Sequence, residues 1–127
     1  MPGRLAAIGL VTGDVARSAA FYRALGLDVP EPSGDDHFEL TLPNGLRLMW
    51  DTEALITQID DSWRPPDSHR VALAFQCESP ADVDATYERA LAAGGTPKLA
   101  PWDAFWRQRY AQVHDPDGQP VDLFAPL

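Results

Sequence analysis

Apolar and polar residues alternate along the chain with two different periods, and the changes of period mark its elements. Leu5–Thr12 is apolar and β-tolerant and ends at Gly13-Asp14. Asp14 is suited to cap a helix over Val15–Leu25, because its carboxylate can accept the first free backbone N–H groups. Val15, Ala19, Tyr22 and Leu25 then share one helical face, and Gly26 stands where a left-handed cap is wanted. After a loop marked by Pro30, Pro32 and Gly34, the pattern shifts to period two: Phe38, Leu40 and Leu42 alternate with His37, Glu39 and Thr41. Pro43-Asn44-Gly45 is a hairpin-type turn into a second alternating run, Leu46–Asp51.

Thr52–Ser68 lacks a strand pattern and reads as a connector, after which the same grammar restarts. Arg70–Cys77 alternates as a strand. Ser79-Pro80 opens a helix, with proline at the first position, where its missing N–H is harmless; the helix stops near Gly94-Gly95. A short strand Thr96–Leu99, a Trp-rich loop, the run Arg107–His114, the turn Asp115–Gly118 and a strand Pro120–Phe124 complete the chain. Ala19–Leu25 matches Ala85–Leu91 at a spacing of 66, and Pro43–Gly45 matches Pro116–Gly118 at a spacing of 73. The order of elements therefore predicts an internal repeat of two βαβββ units, with module one about 1–56, a connector about 57–68 and module two about 69–127.

Composition narrows the function. The 127 residues carry 10 Lys+Arg against 19 Asp+Glu, a formal charge of −9. Lys98 is the only lysine and the arginines are scattered, so there is no basic stripe for nucleic acid. No apolar run approaches the roughly 20 residues that cross a bilayer, so no membrane partner is expected. The single cysteine, Cys77, precludes an internal disulfide and fits a reducing compartment; the cytoplasm is the expected setting. Its parity with Leu73 and Phe75 reads as a packed thiol, not a nucleophile.

Asp14–Gly26 (DVARSAAFYRALG), Trp106–Ala111 (WRQRYA) and Asp115–Leu127 (DPDGQPVDLFAPL), with the repeat, resemble the vicinal oxygen chelate superfamily of glyoxalases, bleomycin resistance proteins and extradiol dioxygenases. The resemblance implies an α+β fold: two βαβββ modules forming curled mixed sheets around a cavity, helices outside, completed in a homodimer. It also implies four metal-ligand positions. Here they fall on Ala7, on Arg47 or Met49, on Arg70 with His69 one residue away, and on Asp122. Alanine has no donor atom, arginine is a cation and methionine is a soft ligand, so no cofactor is expected. Arg70 is expected to neutralise Asp122 in the metal's stead.

The aromatic residues supply the candidate site. Trp102, Phe105, Trp106 and Tyr110 crowd into nine residues, and Trp50 ends an alternating run. They read either as the wall of a ligand groove or as core or dimer interface. The favoured expectation is a metal-free, antibiotic-sequestering binder of a small planar, neutral or cationic molecule. It would stack on Trp50, Trp102, Phe105, Trp106 and Tyr110, oriented by Arg47, Arg70 and Asp122. The alternatives are a glyoxalase- or dioxygenase-like enzyme, with a metal held by Asp122, a shifted His69 and a partner-chain ligand, and a purely structural dimer.

Overall fold

The computed structural model describes residues 2–127. In chain order the elements are β1 (Ala7–Thr12), α1 (Val15–Ala24), β2 (His37–Thr41), β3 (Arg47–Thr52) and α2 (Glu53–Ile59), then β4 (Leu73–Gln76), α3 (Pro80–Ala92), β5 (Thr96–Ala104), β6 (Gln108–His114) and β7 (Pro120–Pro126). They form two mixed sheets of order β1-β3-β2 and β4-β7-β6-β5. In each, the module's first strand runs parallel to its last, and the remaining neighbours pair antiparallel. The expected α+β architecture of two related modules is present.

The capping chemistry is as the sequence implies. Asp14 Oδ1 accepts from the Arg17 amide at 3.1 Å, and Ser79 Oγ from the Asp82 amide at 3.1 Å. Gly26 and Gly94 leave their helices at φ +108° and +104°, a region closed to most side chains. β5 runs on to Ala104 where a strand ending at Leu99 and a loop were expected, because β6 pairs with it as far as Gln108. Two details of the first module and connector also differ from expectation. The first module has three strands rather than four, because the segment after α1 holds Pro30 and Pro32, which cannot donate to a ladder. Its carbonyls serve Arg23 instead, whose guanidinium donates to Val29 O and Pro30 O at 2.9 Å each. The connector also contains the seven-residue α2, capped by Thr52 Oγ1 on the Leu55 amide at 3.1 Å.

The modules meet around α1. Tyr22 is fully buried; its ring lies edge-on to Phe21 at 5.0 Å and to Trp50 at 5.7 Å, and tilted against Phe75 at 6.4 Å. Its rings therefore join β3 of the first module to β4 of the second. Its hydroxyl donates to Asp115 Oδ2 at 2.7 Å, while Asp115 Oδ1 accepts from the amides of Asp117 and Gln119 at 2.8 and 2.9 Å. The Gly13 amide donates to Asp117 Oδ1 at 2.9 Å, a second tie between modules. Gly95 permits the close approach of α1: a Cβ there would lie 2.6 Å from the Phe21 ring and 2.9 Å from Ala90 O. Cys77 is buried in the same core, and burial pushes its thiol pKa up.

Burial pushes the Asp115 carboxyl pKa up, and the Tyr22 hydroxyl and the two amides act against that rise. Deleting the hydroxyl removes one of the opposing groups, so the folded-state pKa of Asp115 rises further. A carboxyl with a raised folded pKa loses folded-state stability as pH rises through that value. Tyr22→Phe is therefore expected to cost about 1–3 kcal/mol near neutral pH, and less in acid, where Asp115 is protonated. Urea unfolding at both pH values measures this, and an equal loss at the two would separate the hydroxyl from the carboxylate.

Candidate functional site

Strand alternation gives each sheet one face toward the core and one away from it. In the second sheet Ala111, Val113, Val121, Leu123 and Ala125 are buried. The opposite face carries Trp102 beside Tyr110, Tyr110 beside Phe124, and Gln112 beside Asp122. The β5–β6 hairpin extends this face with Phe105 and Trp106, closed by Arg107 at φ +71°, a left-handed conformation unusual for a side-chain-bearing residue. Trp106 is the hub: Trp102, Phe105 and Tyr110 stand edge-on around it at 5.6, 4.9 and 5.1 Å. Its indole N–H donates to Gln108 Oε1 at 2.8 Å. Trp102 is 38% exposed, Trp106 42% and Phe105 87%, so these rings face outward.

Asp122 lies on this face. Gln112 Nε2 donates to its Oδ1 at 2.7 Å. Burial, and then the Asp122 carboxylate beside it, push the Tyr110 phenol pKa up to about 12, so the hydroxyl keeps its proton at physiological pH. The arrangement thus offers ring faces, a carboxylate, an amide and a phenol within one patch. It holds no nucleophile activated by a base.

Trp102, Phe105, Trp106, Tyr110 and Asp122 are therefore brought together, and three expected partners are not. Trp50 points the other way: it is fully buried, stacked on Phe38 at 4.8 Å with the rings parallel, and belongs to the core. Its indole Nε1 is buried with no hydrogen-bond partner. Arg70 is exposed and precedes β4; the register places Ala74, four residues later, beside Asp122. Four strand residues span about 13 Å, and no ion pair joins Arg70 to Asp122 among the described residues. Arg47 lies on the other sheet, 3.7 Å from Glu39.

The first sheet carries a charged cluster on the face that also bears Arg47 and Met49. His37 stands opposite Asp51 and Glu39 opposite Met49 in the β2–β3 register. The His37 ring bonds Asp51 Oδ1 through Nδ1 at 2.5 Å and Glu39 Oε2 through Nε2 at 3.0 Å. Both carboxylates raise the His37 pKa, Asp51 first. The alternating pattern marks His37 only as a polar position of β2. The partnership follows from register, which hydropathy does not fix across a turn. Gln108, Gln112 and Phe124 were likewise unmarked, lacking any motif of their own.

The sequence profile of the Glyoxalase/Bleomycin resistance protein/Dioxygenase superfamily matches residues 4–123. The chain belongs to this superfamily. Solved structures agree in fold. A hypothetical protein, SA1046 from S. aureus, superposes with a TM-score of 0.82 at 17% identity, covering 98% of this chain and 95% of that one. A glyoxalase-related enzyme from Fulvimarina pelagi gives 0.81 at 23% identity, with 96% and 87% covered. A glyoxalase/bleomycin resistance protein/dioxygenase from Nocardioides gives 0.73 at 26%, with 100% and 85% covered. No protein of curated function matches significantly.

The metal expected of the superfamily's enzymes does not fit these residues. Ala7 and Arg47 are direct neighbours in the β1–β3 register, and neither is a donor to a cation. Asp122 is engaged by Gln112. His69 lines a pocket with Glu53, Asp115 and Asp117, not with Asp122. No group of three or more His, Cys, Asp or Glu among the described residues could hold a metal ion.

The His37 cluster is testable on its own. Replacing Asp51 by Asn removes the largest support of the protonated ring, so the His37 pKa is expected to fall toward 6.5, as read by NMR titration of the ring protons. A group with a raised folded pKa contributes stability in full below its unfolded value, near 6.5, and loses it as pH rises through the folded value. The wild-type advantage over Asp51→Asn should therefore shrink as pH is raised through the wild-type His37 pKa.

Proposed function

We propose that this superfamily member is a small-molecule binding protein of the bleomycin-resistance type that needs no metal. Its ligand is planar and neutral or cationic, and it stacks on the rings of Trp102, Phe105, Trp106 and Tyr110. The supporting observation is the outward-facing aromatic hairpin set beside the Gln112–Asp122 pair. Rings attract flat and cationic molecules through their faces, and Asp122 supplies a fixed anion at the edge of the patch. Sequestration demands affinity alone, which suits a face without an activated nucleophile or a donor set for an ion. A net charge of −9 favours approach of cations. A second copy of the chain covers the apolar surface beyond these rings, where Leu127 is exposed.

Titrating the protein with a panel of planar antibiotics should quench tryptophan fluorescence for the flat, neutral or cationic members. Trp106→Ala should weaken that binding by about tenfold, the loss of one desolvated stacking contact of some 1–2 kcal/mol. Chelator, zinc, nickel, manganese or iron(II) should leave the affinity unchanged. Turnover of any substrate on adding one of these ions would replace the binder reading with an enzymatic one.

A further inference from the structure

A concavity of about 210 Å3 lies at the C-terminal end of β1 beneath the connector and shares no lining residue with the aromatic hairpin. The free edge of β1 forms one wall and the turn between β6 and β7 another, and Trp63 and the Pro65-Pro66 pair close it from the connector. Its volume is below the roughly 300–1,000 Å3 of pockets for drug-sized ligands, so it suits a compact molecule.

Its polar lining is mainly acidic. Glu53, Asp115 and Asp117 contribute carboxylates and His69 an imidazole, and no Lys or Arg lines it. Asp115 is fully engaged by Tyr22 and two backbone amides. Asp117 gives one oxygen to the Gly13 amide. The half-buried Glu53 carboxylate has neither a hydrogen bond nor an ion pair among the described residues. The two unneutralised carboxylates flank one residue: a Cβ on Gly13 would lie 3.6 Å from Glu53 Oε1 and 3.7 Å from Asp117 Oδ1. Gln119 spends its amide N–H groups on Val71 O and Pro120 O, which leaves its carbonyl oxygen as a further acceptor. Two carboxylates flanking one residue, with no Lys or Arg in the lining and, among the described residues, no hydrogen bond or ion pair from His69 to either, favour a cation between them. A hard divalent ion wants six or more oxygens, and the described residues offer no such cluster. An ammonium group, with three N–H donors, is satisfied by two or three acceptors, and Trp63 in the lining adds apolar surface for the body attached to it.

We propose that this pocket is a second ligand site, for a small primary amine with an apolar or aromatic body. The ammonium group sits between Glu53 and Asp117, and the body rests against Trp63 and the two prolines. The site is independent of the aromatic hairpin, so each can fail without the other.

Benzylamine is the probe, followed by 1H–15N NMR on the intact protein, with benzyl alcohol as the neutral control. Benzylamine at millimolar concentration should move the Gly13 amide and Trp63 indole signals in one saturable process. Benzyl alcohol should bind at least tenfold more weakly. Glu53→Gln should raise the benzylamine Kd about tenfold, equivalent to 1.4 kcal/mol, with the remainder of the spectrum unchanged. Asp117→Asn, at an exposed turn, is the second variant should the first perturb α2. Equal binding of the alcohol, an unchanged Kd in both variants, or movement confined to the Trp106 indole signal would each overturn the proposal.

Discussion

The hydrogen bond from Tyr22 to Asp115 is the constraint on which the rest of the molecule depends. It joins the helix of one module to the last turn of the other inside a core where neither group can turn to water. A lone buried carboxylate is costly, and this one is satisfied from three directions at once. The same residues fix the turn that presents Asp117 to Gly13 and thereby seat β1 against the second module. Around the hydroxyl, the Tyr22 ring supplies the apolar half of the joint by touching Trp50 and Phe75. One side chain thus serves both as hydrophobic wedge and as polar latch.

With the modules locked, their outer faces are free to diverge, and they have. The first sheet presents alternating charge, with His37 between Asp51 and Glu39 and Arg47 beyond. The second presents rings edged by amides and a carboxylate. Duplicated architecture here carries two unlike chemistries, consistent with a fold that positions side chains without dictating what they do. The loss of one strand from the first sheet adds to the asymmetry, since Arg23 takes the carbonyls that a ladder would have used.

Much of the fold could be read from the chain because local chemistry determined it. Asp14, Ser79, Gly26 and Gly94 end helices for reasons internal to a few residues. What escaped was set by distance. The short α2 lay among aspartates and prolines that read as loop, and β5 runs on through Pro101 to Trp102 because β6 offers it a partner. Pro30 and Pro32 mark a loop in the sequence, and the repeat alone implied a fourth strand for the first sheet. Trp50 falls in the core for a reason the sequence carries: it is three residues from Arg47, and odd separations on a strand face opposite ways. Arg70 does not reach Asp122 because the β4–β7 register, which hydropathy does not set, puts Ala74 beside it. The aromatic hairpin was legible as a cluster, but its glutamine partners became visible only once β6 and β7 were aligned.

The placement of the four tryptophans has a practical corollary. Trp50 is sealed beneath a stacked phenylalanine, while Trp102 and Trp106 stand near solvent and Trp63 is half-buried in the connector. The molecule therefore contains its own spectroscopic reference. Collisional quenchers reach the outer indoles while emission from the inner one persists, so integrity of the interior and occupancy of the surface can be followed in a single cuvette without any added label.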